Sequence, residues 1–276
     1  MSASINHHRE GSGDPIVLLH GIGHHWQAWG PVVGLLAGEL DVLACDSPGF
    51  GASAPLARGI EPTVPAYADA FEWFFAELGL RRPHVAGNSM GGAIALELAR
   101  RRSVRSATAF SPAGFWTAAE ARFCRLSLLA LADTPVRARP AVEALARTRS
   151  GRSVLFRQTF GFPARLPAEE AVATLRDAWA SPAFDRALEL LPEYRCEAIA
   201  DLRDVPVTVA WGTRDLLLPY RTQAPRARKL LPTATHLALG AGHVPFYDDA
   251  PAAAAAIRAT VAVARAEAGA AQTPSG

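Results

Sequence analysis

Gly87-Asn88-Ser89-Met90-Gly91-Gly92 is the stretch of this sequence that decides the fold. The short apolar run 83–86 precedes it, and the run 93–100, built of strong helix formers, follows it. Ser89 therefore lies where a strand turns sharply into a helix. The glycines two positions before and after it suit such a turn, because a side chain at either position would clash with the strained backbone. The pattern predicts a nucleophile elbow, with the Ser89 hydroxyl held out on the corner.

Two backbone N–H groups near Ser89 are candidates for an oxyanion hole, which needs two donors aimed at one point. The first is the N–H of Met90, at the start of the helix, where backbone donors have no partner within the helix. The second comes from the loop His20-Gly21-Ile22-Gly23, in which Ile22 is the predicted donor. The neighbouring glycines let this backbone approach a substrate closely.

A serine hydroxyl needs a base to take its proton, and the base needs a third group to orient it. In elbow folds these partners follow the serine in the order acid, then histidine. Of the eight histidines, only His236 and His243 follow a plausible acid. His236 falls inside the apolar run 235–239 and is interpreted as packed beside the sheet, whereas His243 follows a glycine-rich loop and is the predicted base. His20 precedes the elbow, so we expect it to tie its loop down by a side-chain hydrogen bond.

Asp215 is the predicted acid, because it follows Trp211-Gly212-Thr213-Arg214 at the carboxyl end of the predicted strand 205–211. The loop after the strand 104–110 is another place for the acid, but it contains no carboxylate. Four other aspartates are excluded because they precede the strand of Asp215 or follow the base: Asp201, Asp204, Asp248 and Asp249. On this chain-order argument Asp248 is expected to contribute little.

Apolar runs and helical patterns alternate along most of the chain, which argues for an α/β fold with a mostly parallel sheet covered by helices on both faces. Functional loops in such sheets lie beyond the carboxyl ends of the strands, where all the candidate residues fall. The predicted strands are 5–9, 15–19, 40–45, 83–86, 104–110, 205–211 and 235–239.

The strand–helix alternation stops between about residues 111 and 196, where helical runs are broken by prolines and glycines. We interpret residues 115–196 as a helical cap inserted into a core formed by 1–114 and 197–268. Residues 269–276 are predicted to be a disordered tail.

The composition excludes several classes of protein. A formal net charge of +2, with no basic run, does not suggest a nucleic-acid partner. No apolar stretch approaches the roughly 20 residues of a membrane span, and the N-terminus shows no secretory signal. The three cysteines are too few and too far apart for a disulfide framework or a metal site. We therefore expect a cytoplasmic protein with a small-molecule substrate, and the sequence leaves its oligomeric state open.

Five motifs, listed below in chain order, resemble those of the α/β-hydrolase superfamily, in particular its cap-bearing esterase and peroxidase-like members. The resemblance runs from about residue 10 to 265 and fails only in the cap. It implies the α/β-hydrolase fold and a hydrolase that needs no metal or organic cofactor, with Asp46 shaping a loop beside the site. The motifs are His20-Gly21, Asp46-x-Pro48-Gly49-x-Gly51-x-Ser53, Gly87-x-Ser89-x-Gly91, Trp211-Gly212-x-x-Asp215 and Gly242-His243-x-Pro245.

Single residues separate the branches of this superfamily. Haloalkane dehalogenases and epoxide hydrolases carry an aspartate where this chain has Ser89. Carbon–carbon bond hydrolases of aromatic degradation often share the Asn-Ser-Met-Gly-Gly elbow, but they tend to have Gly-Pro-Gly and a tryptophan where this chain has His24-His25 and Val244. The leading interpretation is a serine esterase that forms an acyl-enzyme from a small to medium carboxylic ester. The alternatives are a carbon–carbon bond hydrolase of a vinylogous diketone and a ligand-binding protein of the same fold without turnover.

The cap is the part that the sequence defines least. Its aromatic side chains are candidates for a pocket lining, but most are interpreted as cap core: Phe115, Trp116, Phe123, Trp179, Phe184 and Tyr194. Its arginines could meet an anionic substrate, but a solvated face is the simpler interpretation of Arg122, Arg125, Arg147 and Arg157.

Overall fold

The computed structural model describes residues 4–197, 202 and 205–272. Seven strands in these ranges form one sheet, in the spatial order β1-β3-β2-β4-β5-β6-β7. Only β1 is antiparallel to its neighbour, and the other five pairings are parallel. The strands are β1 His7–Gly11, β2 Asp14–Leu19, β3 Leu40–Cys45, β4 His84–Asn88, β5 Ser106–Phe110, β6 Val207–Gly212 and β7 Thr235–Leu239. The predicted α/β architecture with a mostly parallel sheet is confirmed.

Helices cover both faces of the sheet and fill the long connection between β5 and β6. None of those in the described ranges has the length and apolar character that crossing a bilayer requires. They are α1 Gly30–Leu36, α2 Val64–Glu77, α3 Met90–Arg100, α4 Ala118–Ala132, α5 Arg139–Arg147, α6 Arg149–Leu155, α7 Ala168–Ala180, α8 Phe184–Leu190, α9 Tyr220–Leu230 and α10 Ala250–Gln272.

Two clusters of buried apolar side chains lie on opposite faces of the sheet. In β2, Val17 and Leu19 belong to the cluster covered by α2, α3 and α9, whereas Ile16 and Leu18 belong to the cluster covered by α1 and α10. The central strands are buried on both faces, so their sequences are nearly continuous apolar runs instead of alternating ones. This double burial fixes the sheet and therefore the places where its loops emerge.

Most predicted elements lie within two residues of the observed ones. After β2 the chain forms a 3-10 turn, Trp26–Trp29, followed directly by α1. At the other end, α10 extends to Gln272, so residues 269–272 are helical where a disordered tail was predicted. Residues 273–276 of that tail lie outside the described residues.

Five helices, α4 to α8, lie between β5 and β6, and residues 111–197 contain no strand. We call residues 115–196 the cap. Its side chains are shared between the two core clusters: Phe184 joins the first, and Leu175 and Phe156 join the second. The cap is therefore packed onto the core.

Helix α3 lies unusually close to β2 because of Gly91. A Cβ at Gly91 would lie 2.2 Å from the Leu19 carbonyl oxygen and 2.6 Å from that of His20. A Cβ at Gly87 would lie 2.0 Å from the carbonyl oxygen of Gly91 itself. Both glycines are required by a close approach of backbone to backbone.

We expect Gly91→Ala to destabilise the protein by more than about 2 kcal/mol, since the obstructing atoms are backbone and can move only with the sheet. Gly34→Ala is the matched control: Gly34 lies in α1 with no atom within 4 Å of an added Cβ, so alanine should be neutral or stabilise by up to about 1 kcal/mol. Urea unfolding of both variants measures the difference. Equal midpoints would contradict the packing described for α3.

Candidate active site

Ser89 lies between β4 and α3 in a backbone conformation that residues with a side chain rarely adopt, with φ 56° and ψ −115°. Three backbone hydrogen bonds hold this conformation. The Ser89 N–H donates to the Phe110 carbonyl at 2.9 Å, and the Ser89 carbonyl accepts from the N–H groups of Ala93 and Ala113, each at 3.0 Å. Strain of this kind persists only where the surrounding structure enforces it, and it is concentrated at functional sites.

His243 and Asp215 meet beyond the ends of β7 and β6. The His243 Nδ1 donates to Asp215 Oδ2 at 2.8 Å, and the two side chains are 3% and 0% exposed. Asp215 Oδ1 accepts from the N–H groups of Leu217 and Leu218, at 2.9 and 2.8 Å, which fixes the carboxylate. Because a carboxylate can only accept, the proton of a neutral His243 ring is on Nδ1, and Nε2 carries a lone pair.

Ser89 and His243 line the same cavity. The buried Nε2 of His243 has no hydrogen-bond partner among the described residues. The cap supplies most of the cavity wall, and no arginine, lysine, aspartate or glutamate of the described chain lines it. Its cap residues are mainly apolar: Leu128, Leu131, Ala132, Leu155, Phe156, Ala178 and Phe184.

The loop after β2 passes directly against the elbow. A Cβ at Gly21 would lie 3.1 Å from the Ser89 Cβ, and the His24 N–H closes a turn onto the Gly21 carbonyl at 3.2 Å. Within the part of the chain that the structure describes, neither the Ile22 N–H nor the Met90 N–H donates a hydrogen bond. Both predicted oxyanion donors are thus available beside Ser89.

His20 holds this loop in place. Its Nδ1 donates to the Gly21 carbonyl at 2.7 Å, and its Nε2 accepts from the Ser47 N–H at 2.9 Å. One nitrogen donates and the other accepts, so the ring is neutral, and complete burial lowers the pKa of His20 to about 4. The side chain has the loop-tying contacts that the sequence analysis expected.

Asp46 has three donors and does not line the cavity. Its carboxylate accepts from the Asn6 side chain at 2.8 Å, the Trp26 N–H at 2.7 Å and the Ala52 N–H at 2.9 Å. A Cβ at Gly51 would lie 2.4 Å from this carboxylate. These contacts shape the loop after β3, as the resemblance implied.

Apart from Asp248 and Asp249, the residues rejected as base or acid do not line this cavity or lie outside the residues that the structure describes. His236 packs half-buried at the edge strand β7, where its Nε2 donates to the Leu231 carbonyl at 2.9 Å. Asp201 and Asp204 lie outside the described residues.

Asn88 is a residue that sequence reasoning missed. Its side-chain amide donates to the carbonyl of Phe110 at 3.1 Å and to that of His243 at 2.8 Å. The elbow is thereby tied to the backbone of the predicted base, 155 residues away. Its place in the elbow was the only sequence signal, because nothing in the pattern identifies so distant a partner.

Asp248 is the second missed residue, and it joins the cap to the loop of His243. One carboxylate oxygen accepts from the N–H groups of Gly242 and Gly161, at 2.8 and 2.7 Å, and the other accepts from Phe162 at 2.8 Å. Beside it the Val244 N–H donates to a cap carbonyl, that of Thr159, at 2.9 Å. The residues on either side of His243 are therefore both hydrogen-bonded in this junction.

The structure shows which of the cap aromatic residues and arginines line the cavity. Of the six aromatic side chains, Phe184 lines the cavity, whereas Phe115 and Trp116 are buried in the core and Phe123 is 51% exposed. The cavity lining includes none of the four arginines considered as contacts for an anionic substrate.

We expect Asp248→Asn to lower stability by about 1–3 kcal/mol, because an amide nitrogen would face a backbone donor. It should also reduce kcat, since Gly242 adjoins His243. Asp249→Asn is the control, because the Asp249 carboxylate accepts from Ala252 at the start of α10 and asparagine caps equally well. Urea unfolding and ester kinetics test both variants. If Asp248→Asn and Asp249→Asn have the same stability and the same kcat, Asp248 contributes little, as chain order predicts.

The chain matches a family model described as the alpha/beta hydrolase family over residues 16–257. An uncharacterised protein of Mycobacterium tuberculosis is 30% identical to it over 256 residues, which are 87% of this chain and 72% of that protein. A 2-hydroxy-6-oxononadienedioate/2-hydroxy-6-oxononatrienedioate hydrolase of a Pseudomonas species is 36% identical over 104 residues, which are 36% of each protein.

Among solved structures, a membrane phospholipase A described as a bacterial virulence factor is similar over most of its length. The TM-score is 0.75 at 25% sequence identity, and the match covers 96% of this chain and 85% of that one.

Proposed function

The chain belongs to the alpha/beta hydrolase family, and from that premise we propose that it is a serine hydrolase that cleaves small to medium carboxylic esters. Ser89 is the nucleophile, His243 the base and Asp215 the residue that orients the base. The N–H groups of Ile22 and Met90 form the oxyanion hole. A cytoplasmic location and a small-molecule substrate remain predictions from the sequence.

In this mechanism the Ser89 hydroxyl attacks the ester carbonyl while His243 Nε2 takes its proton. Negative charge forms on the former carbonyl oxygen, where the two backbone N–H groups stabilise it. Asp215 stabilises the imidazolium through Nδ1. The imidazolium then protonates the leaving alcohol, and an acyl-enzyme remains. His243 next removes a proton from water, which attacks the acyl group and regenerates Ser89.

One observation carries this proposal. The ring of His243 is held by Asp215 through Nδ1, its Nε2 has no partner among the described residues, and His243 lines the same cavity as the strained Ser89. Nucleophilic catalysis requires a base whose one ring nitrogen is held by an acid and whose other nitrogen is unpaired, in the same site as an activated serine.

The cavity wall also bears on the substrate. Its apolar lining suits a neutral ester with an apolar portion. Carbon–carbon bond hydrolysis is the alternative, supported by the Asn-Ser-Met-Gly-Gly elbow and by the partial match to a dienedioate hydrolase. A dianionic substrate would need cationic partners, and no arginine or lysine of the described residues lines this cavity.

Ser89→Ala should lower kcat on nitrophenyl esters by several powers of ten, because the members of a triad act as a unit. Thermal unfolding should change little, since only one hydroxyl is lost. Ser153→Ala, on the exposed face of α6, is the control and should keep full activity. Wild-type protein, but not Ser89→Ala, should react with a fluorophosphonate. A variant at Ser89 with more than about a tenth of the activity would exclude it as the nucleophile, and an unlabelled wild type would favour a binding protein without turnover.

Asp215→Asn should preserve the fold and cost up to about 10⁴ in kcat, because the amide favours the wrong imidazole tautomer. The exposed Asp185, in α8, provides the control substitution Asp185→Asn, which should leave kcat unchanged. Steady-state kinetics on a nitrophenyl ester measure both. A loss below about tenfold for Asp215→Asn would show that another group orients the base.

A further inference from the structure

One wall of the cavity is formed where the loop Gly23-His24-His25 lies along the cap helix α7. His25 is bracketed by two carboxylates of that helix: its Nε2 lies 3.1 Å from Glu170 Oε1, and its Nδ1 contacts Asp177 Oδ2. Residues seven apart lie on the same face of a helix, two turns or about 10 Å from each other. The loop is thus fixed against one face of α7, on which Thr174 lies between the two carboxylates.

His24 and Thr174 both line the cavity that contains Ser89, one from the core loop and one from α7. They are 9% and 8% exposed. Neither His24 Nδ1 nor Thr174 Oγ1 has a hydrogen-bond partner among the described residues. Buried polar atoms are nearly always paired, since an unpaired one loses its hydrogen bonds to water without replacement. Two lining residues of one mainly apolar cavity that each carry such an atom indicate a ligand group that pairs with them.

The charge state of the wall defines the chemistry of that group. Burial holds the pKa of His24 well below its ordinary value, and the neighbouring His25, His20 and His243 lower it further, so the ring is neutral. A neutral imidazole and a hydroxyl can each donate one hydrogen bond and accept another. With no charged arginine, lysine or carboxylate side chain among the described lining residues, these atoms suit an uncharged oxygen function.

We propose that His24 and Thr174 determine specificity by hydrogen-bonding a hydroxyl or keto oxygen that the substrate carries away from the scissile ester. The preferred substrates are then oxo- or hydroxy-substituted esters, and plain alkyl esters are poorer ones. This inference rests on the proposed esterase function and names its substrate class.

The test compares matched esters that differ only in this oxygen. One series consists of nitrophenyl alkanoates with a keto group at successive chain positions, each paired with the analogue in which a methyl branch replaces the keto oxygen. A second series places the same groups in the alcohol portion. At the best position we expect wild-type kcat/KM to favour the keto ester by at least about tenfold, because a site built to pair with an oxygen rejects the analogue that lacks it.

Substitutions at His24 and Thr174 test whether these two residues cause the preference for the keto ester. His24→Phe and Thr174→Val should each reduce the keto-to-branched ratio towards one, and Thr174→Ser, which restores the hydroxyl, should recover it. Thr159→Val is the matched control: Thr159 lines the same cavity, but its hydroxyl already donates to the Phe156 carbonyl at 3.1 Å, so the ratio should persist. Thermal unfolding of each variant identifies any that fails to fold, and the remaining variants then decide.

Two results would overturn the inference: equal kcat/KM for both members of every pair in the wild type, or an unchanged ratio in both His24→Phe and Thr174→Val. Failure of the esterase proposal would look different, with no ester cleaved and no fluorophosphonate label on Ser89. In that case calorimetric titration of Ser89→Ala with the same pairs decides the question. A preference of at least about tenfold in Kd for the keto member supports the two contacts, and equal Kd values refute them.

Discussion

The structure depends on the backbone of Ser89 being held at a φ of 56°, a conformation that a serine does not keep unaided. Hydrogen bonds to Phe110 at the end of β5, to Ala113 in the loop after it and to Ala93 in α3 enforce it. The first two form because β4 lies beside β5 in a sheet buried on both faces. The same arrangement places the loop after β2 on one side of the elbow. On the other side, beyond β6 and β7, lie Asp215 and His243. The free energy of packing two apolar cores therefore stabilises a strained corner, and the candidate site is assembled around that corner.

This dependence explains how much of the fold and the candidate site could be predicted. Strands buried on both faces produce apolar runs such as 15–19 and 40–45, which are visible without any knowledge of their neighbours. The elbow is visible because backbone crowding at Gly91 excludes every side chain. Chain order then separates His243 from the other histidines. The apolar runs and the elbow glycine are local signals, because the constraint behind each acts within a few residues. The choice of His243 needs only the order of residues along the chain.

The contacts that sequence reasoning missed have no such local cause. Asn88 donates to the carbonyl of His243, and Asp248 accepts from N–H groups in the cap, so in both a side chain bonds to a distant backbone. Backbone N–H and carbonyl groups occur in almost every residue, so the sequence does not show which residue supplies the backbone partner. Chain order excluded Asp248 from the triad, but nothing in the sequence indicated its place beside the loop of His243. The cap residues that line the cavity could not be predicted either, because helical periodicity does not distinguish residues of a cavity wall from residues of the cap core.

The cap and the candidate catalytic loops are mechanically joined. At one end of the cavity Asp248 and Val244 bind residues 159–162 of the cap to the loop of His243. At the other end His25 binds α7 to the loop of Ile22. The cap segments that line the cavity are thus hydrogen-bonded to the segments that carry the proposed base and a proposed oxyanion donor. A change in the cap that shifts either junction would displace the candidate catalytic groups as well as reshape the cavity. Substrate range can therefore change freely only at wall positions between the two junctions, and His24 and Thr174 lie along the wall next to the second one.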